Sequence, residues 1–119
     1  MFYTSYNNTD SNTATQAQTA TSKTTAKATK RALRVWLENK TLLDGAGFYA
    51  GATYTAEYST GQIALMVDPD GTGKVSSCKR GDALRPIIDL HSVKVAQSFK
   101  AGDALTVTYE PGYIFIRKA

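Results

Sequence analysis

The sequence predicts a mainly β fold of two tandem, pseudo-two-fold halves, each with one short helix, behind a disordered N-terminal arm. Three observations carry this. The chain repeats itself at a spacing of 51 positions. Apolar residues alternate with period two inside each copy, as half-buried strands require. The first quarter, by contrast, is nearly devoid of large apolar side chains and cannot offset its ordering entropy by burial.

The arm is expected over residues 1–31. From Thr4 to Lys30 only Tyr6 is large and apolar, and Thr, Ala, Ser, Asn and Gln dominate. Of the net charge of +4 on 119 residues, Met1–Arg31 carries +3, from four basic residues and one acid. The rest is nearly neutral at +1, with ten basic and nine acidic residues. Lys23, Lys27, Lys30 and Arg31 cluster at the arm's inner end, suited to phosphate contact or simply to a solubilising tether.

The repeat places eight identities in the ungapped window 34–65 against 85–116, among them Arg34/Arg85, Phe48/Phe99, Gly51/Gly102 and Gly61/Gly112. Each copy (32–67 and 85–119, joined by a linker over 68–84) has the same order. A short apolar strand comes first, Leu33–Leu37 or Ile87–Leu90. A helical turn follows, Thr41–Gly45 or Val93–Ser98, with Thr41 or Ser92 placed to cap it. A hairpin ends each copy: Thr53–Tyr58 with Gln62–Val67, then Ala104–Tyr109 with Tyr113–Arg117. The turns Ser59–Thr60–Gly61 and Glu110–Pro111–Gly112 carry the residues that reverse a chain. One half is too small to bury its own hairpin, so two halves are expected to interlock as a small barrel. Pairing across two chains as a homodimer is the alternative.

Much is excluded. No apolar run approaches the roughly 20 residues of a membrane span. The N-terminus lacks the basic and apolar regions of a secretory signal, so a cytoplasmic location is expected. One cysteine, Cys78, and one histidine, His91, rule out an internal disulfide and most zinc or Cys/His catalytic schemes. Asp68–Pro69–Asp70–Gly71–Thr72–Gly73 begins like a calcium loop but has Lys79 where the bidentate Glu belongs. No paired acid/base or nucleophile groups point to an enzyme, and no cofactor or metal is expected. Cys78 reads as an incidental exposed thiol, His91 as a surface or capping residue, and Trp36, aligned with Ile87, as core.

The residues Phe99–Lys100–Ala101–Gly102–Asp103–Ala104–Leu105–Thr106–Val107 and Gly112–Tyr113–Ile114–Phe115–Ile116 resemble the AbrB/MazE/SymE superfamily of swapped-hairpin barrels. Leu42–Leu43–Asp44–Gly45–Ala46–Gly47–Phe48 with Gly61–Gln62–Ile63–Ala64–Leu65 is closest to its SymE-like members. The resemblance implies binding of double-stranded DNA by basic side chains of each half's first strand and following loop. By position these are Arg34, Lys40, Arg85 and Lys94. Lys79 and Arg80 of the linker and Lys27, Lys30 and Arg31 of the arm add candidate phosphate contacts. The structural alternative is that Arg34 and Arg85 pair with Glu38 and Asp89 of their own halves. The resulting expectation is a DNA-binding regulator or toxin–antitoxin component, of the kind found in phages or mobile elements. The alternative is an assembly protein of a virus-like particle, with the barrel as rigid body and the arm as tether.

Overall fold

The computed structural model describes residues 20–28, 32–81 and 83–119, of Arg80 only the backbone. The period-two segments form ten strands among these residues: β1 Ala20–Thr25, β2 Lys27–Ala28, β3 Leu33–Leu37, β4 Thr53–Ser59, β5 Gln62–Val67, β6 Gly73–Lys74, β7 Ser76–Arg80, β8 Ala83–Ser92, β9 Ala104–Glu110 and β10 Tyr113–Lys118. Two short helices, α1 Lys40–Gly45 and α2 Val95–Ser98, follow β3 and β8. The fold is mainly β, as expected, and no helix among the described residues is long and apolar enough to cross a membrane.

Two sheets are formed, with strand orders β1-β9-β10-β5-β4-β6 and β2-β3-β8-β7. Both orders read as palindromes if each strand of one half is exchanged for its counterpart in the other. The register says the same. In the two seams where the halves meet, Leu37 pairs with Ile88 and Ala64 with Phe115, each pair separated by the repeat length of 51. A residue that faces its own repeat equivalent across an antiparallel ladder lies on a two-fold axis. The pseudo-two-fold therefore passes through both seams.

Each helix also leans on the other half's hairpin. α1 packs against β9, and Gly112 N donates to Ala46 O at its end. α2 packs against β4 and β5; Gly61 N donates to Ser98 O, and Ser98 Oγ donates to Gln62 O. Gly61 and Gly112, at φ +76° and +81°, supply the left-handed residue in the two hairpin turns. The inner faces of both sheets supply one core, in which Val35, Leu43, Phe48, Ile63, Leu65, Ile88, Leu105, Val107, Ile114 and Ile116 are buried.

Four expectations are corrected. First, the sheets do not close into a barrel; each keeps two edges. Second, residues 20–28, placed in the arm by composition, are strands β1 and β2, and Ala26 is fully buried. Thr and Ser suit a pleated edge, where packing against β9 supplies the burial that the segment's own side chains lack. The outer residues of the arm, 1–19 and 29–31, lie outside the described residues. Third, the linker 68–84 contains β6, β7 and the start of β8. β7 is the counterpart of β2, since Lys27 pairs with Arg34 and Cys78 with Arg85. Ala26 and Val75 likewise make equivalent bonds, to Gly102 and Asp103 and to Gly51 and Ala52. The repeat thus includes the strands before Leu33, with Ser76–Ser77 as a two-residue insertion in the second copy. Fourth, α1 is capped by Asn39, whose Oδ1 accepts from Leu42 N at 3.1 Å, instead of by Thr41. Ser92 Oγ accepts from Lys94 N in the turn before α2, but α2 itself, with Lys94 at its N-cap position, has no side-chain cap.

Candidate nucleic-acid interface

The outer face of the four-stranded sheet gathers several of the predicted residues. Alternation on β3 and β8 turns Val35, Leu37, Ile88 and Leu90 inward. Arg34, Trp36, Arg85, Ile87, Asp89 and His91 therefore share the outer side, and the ladders put Lys27 opposite Arg34, and Arg34 opposite His91. A shallow groove of about 430 Å³ runs along this face, lined by Thr24, Thr25, Lys27, Arg34 and Trp36. Arg34 and Arg85 stand three residues from the axis pair Leu37/Ile88 in opposite directions. That puts them about 20 Å apart along the strands.

The two arginines differ in their surroundings. Arg34 Nε lies 3.0 Å from Asp89 Oδ1, an ion pair without hydrogen-bond alignment, and its guanidinium stacks 5.5 Å from the Trp36 ring centre. The acid comes from the other half, across the β3–β8 seam, and not from Arg34's own half. Arg85 has no ion pair among the described residues. Trp36, expected in the core, is 39% exposed and donates from Nε1 to Glu38 Oε1 at 2.9 Å. Its counterpart Ile87 is buried yet on the same outer face, so the two share a position in the repeat but not a core environment. The alternation of Val35 and Leu37 around Trp36 carries the signal for an outward ring.

The other candidates scatter. Lys40 opens α1 and is held by Asp44 Oδ2 at 2.8 Å, one helical turn away. Lys94 is exposed beside a second groove, of about 480 Å³, lined by Tyr54, Tyr58, Thr72, Gly73, Asp89 and His91 among others. Lys79 pairs with Leu84 and so projects from the opposite face to Arg85. Arg80 lies on β7 with its side chain undescribed, and Lys30 and Arg31 fall outside the described residues. Lys27 belongs to a strand and not to an arm. Cys78, half-buried, is the counterpart of Lys27, so only one side of the axis carries that cation.

The remaining polar groups serve the fold. Asp68 accepts from Thr55 Oγ1 at 2.7 Å and from Asp70 N at 2.9 Å, bonds that hold its carboxyl below the usual range and tie the start of the would-be calcium loop. Among the described residues no cluster of three or more His, Cys, Asp or Glu could hold a metal ion. Burial raises the pKa of Tyr54, Tyr58 and Tyr109 above the usual tyrosine range. Comparison with protein-family models, curated proteins and solved structures finds no match in any of the three.

Proposed function

We propose that this chain is a small DNA-binding protein of the swapped-hairpin type. It reads a duplex with the outer face of its four-stranded sheet, in the manner of an AbrB- or SymE-like regulator. The observation that carries the reading is the repeat-related pair Arg34 and Arg85 on one face, on opposite sides of the pseudo-two-fold. Their spacing lets them reach phosphates on the two strands flanking a groove roughly 12 Å wide. Lys27, opposite Arg34 in the ladder, supports it by adding a second cation to the same face beyond the one Asp89 neutralises. The exposed Trp36 ring adds a stacking surface. The exchange of hairpin contacts between halves supports the swapped-hairpin reading.

Fluorescence anisotropy with a labelled duplex tests this. Binding through Lys27, Arg34 and Arg85 should weaken with salt at a log–log slope of about −2 to −3. Arg34→Ala with Arg85→Ala should lower affinity at least about tenfold, and Asp89→Asn, which frees Arg34, should raise it. Unchanged binding in the double variant, or no binding at low salt, overturns the reading. The near-neutral charge of residues 32–119 favours the second reading, an assembly protein that needs no nucleic acid.

A further inference from the structure

In the first half's strand slot, β1 covers the outer edge of β9. The outward backbone groups of β9 belong to Leu105, Val107 and Tyr109, and they face Thr24, Ser22 and Ala20. By the pseudo-two-fold the same slot runs along the outer edge of β4. There β6 pairs only with Thr53 and Tyr54. The chain before β6 turns away at Asp68–Gly71, where Gly71 lies against the Tyr54 backbone. Because Val75 N donates to Ala52 O on this side, strand alternation turns the amide and carbonyl groups of Ala56 and Tyr58 outward too. Neither residue has a strand partner on that side among the described residues. The groove of about 480 Å³ beside them is where a strand is missing; its counterpart beside β1, lined by Ser22, Lys23 and Thr24, measures only about 160 Å³.

We propose that this slot accepts an extended strand from a second copy of the chain, namely residues Thr13–Thr19. The filled slot shows what fits. β1 turns the small residues Ala20, Ser22 and Thr24 inward, with Thr21, Lys23 and Thr25 outward. As an extended strand, residues 13–19 would repeat that pattern, placing Thr13, Thr15, Ala17 and Thr19 on one side and Ala14, Gln16 and Gln18 on the other. They cannot fill the slot of their own chain. Thr19 adjoins Ala20 at the far edge of the six-stranded sheet, and five strand spacings, about 24 Å, separate β1 from the slot beyond β4. In a second copy the segment would add about four backbone hydrogen bonds to Ala56 and Tyr58. Reciprocal donation closes a two-fold dimer.

Light scattering on the full chain tests this, together with three variant samples. Ala56→Pro removes only an outward N–H and leaves the β4–β5 ladder intact, which blocks the slot. Thr15→Pro with Ala17→Pro blocks the donor strand. The full chain is expected to be dimeric at micromolar concentration, and each variant monomeric. Mixing the two variants should restore a one-to-one pair, since one keeps a donor and the other a slot; that recovery also shows that both are folded. Hydrogen exchange should show the Ala56 and Tyr58 amides protected in the full chain and not in the donor variant. A monomeric full chain overturns the proposal, as does a dimer that survives both blocks. A full chain that stays monomeric yet takes up an unrelated strand peptide at Ala56 would equally overturn the second copy as occupant.

Discussion

β1 and β6 hold the same place in the two halves and fill it differently. β1 pairs along six residues of β9, whereas β6 pairs along two of β4. One difference between the two slots is a ring. Leu105 under β1 is replaced by its counterpart Tyr54 under β6, and a Cβ on Gly73 would meet the Tyr54 ring. The second half has glycine where the first has Thr24, and the chain leaves the β4 edge one turn earlier, at Asp68–Gly71. The arginines diverge in the same way: Arg34 is held by Asp89 and Trp36, while Arg85 keeps its place on the face without such partners among the described residues. The inner frame of the repeat is kept, and its edges and outer face have changed.

If the frame is symmetric, equivalent core positions should respond alike. Ile63 and Ile114 are repeat equivalents, both fully buried, and each sits beside the Ala64/Phe115 axis pair. Ile63→Ala and Ile114→Ala should each cost about 2–5 kcal/mol. The two values should agree closely in denaturant unfolding, with a single transition because each hairpin is buried by both halves. Two transitions, or costs that differ several-fold, would break the symmetry.

The asymmetry has its own test. Gly73→Ala should cost about 1–3 kcal/mol by overpacking against Tyr54. In a Tyr54→Leu background, which restores the residue type of the other half, that cost should largely vanish. A double-mutant cycle measures the coupling. Equal costs in both backgrounds would mean that backbone geometry, and not the ring, shortens β6.

Most of the frame was legible because burial and turns are written locally. The boundaries of β3 and β5 match the expected spans residue for residue, and both helices stand where the pattern put them. β1 was not legible, since its stability comes from Leu105 and Val107, about eighty residues away in sequence, while its own Thr, Ser and Lys residues read as arm; β2 pairs nearby, with Leu33 and Arg34, but has only two residues to show it. One local signal does reach upstream. Ala32–Leu33–Arg34 and Ala83–Leu84–Arg85 are identical triplets, and they carry the repeat upstream of Arg34. At the interface, sequence placed Arg34 and Arg85 on equivalent positions but gave Arg34 the wrong acid. The partner lies across a seam whose register only the fold determines.

The smallest effect concerns what β1 adds to the edge it covers. Ser22 Oγ and Tyr109 Oη share a hydrogen bond of 3.0 Å; the equivalent Tyr58 instead hydrogen-bonds Ser92 of β8. Ser22→Ala should cost about 1 kcal/mol at neutral pH. Burial raises the Tyr109 pKa and the Ser22 bond lowers it, so the variant should move Tyr109 ionisation higher still. The folded state holds these phenolic protons above the point at which the unfolded chain, with tyrosines near 10.0, releases them. The contribution of these buried tyrosines to stability is therefore complete below pH 10 and falls as pH rises beyond it. Absorbance at the phenolate band should show Tyr54, Tyr58 and Tyr109 ionising last, and only Tyr109 moving upward in the Ser22 variant. If Tyr109 ionises with the exposed tyrosines instead, β1 does not cover the edge of β9 in solution, and the contrast between the two slots disappears.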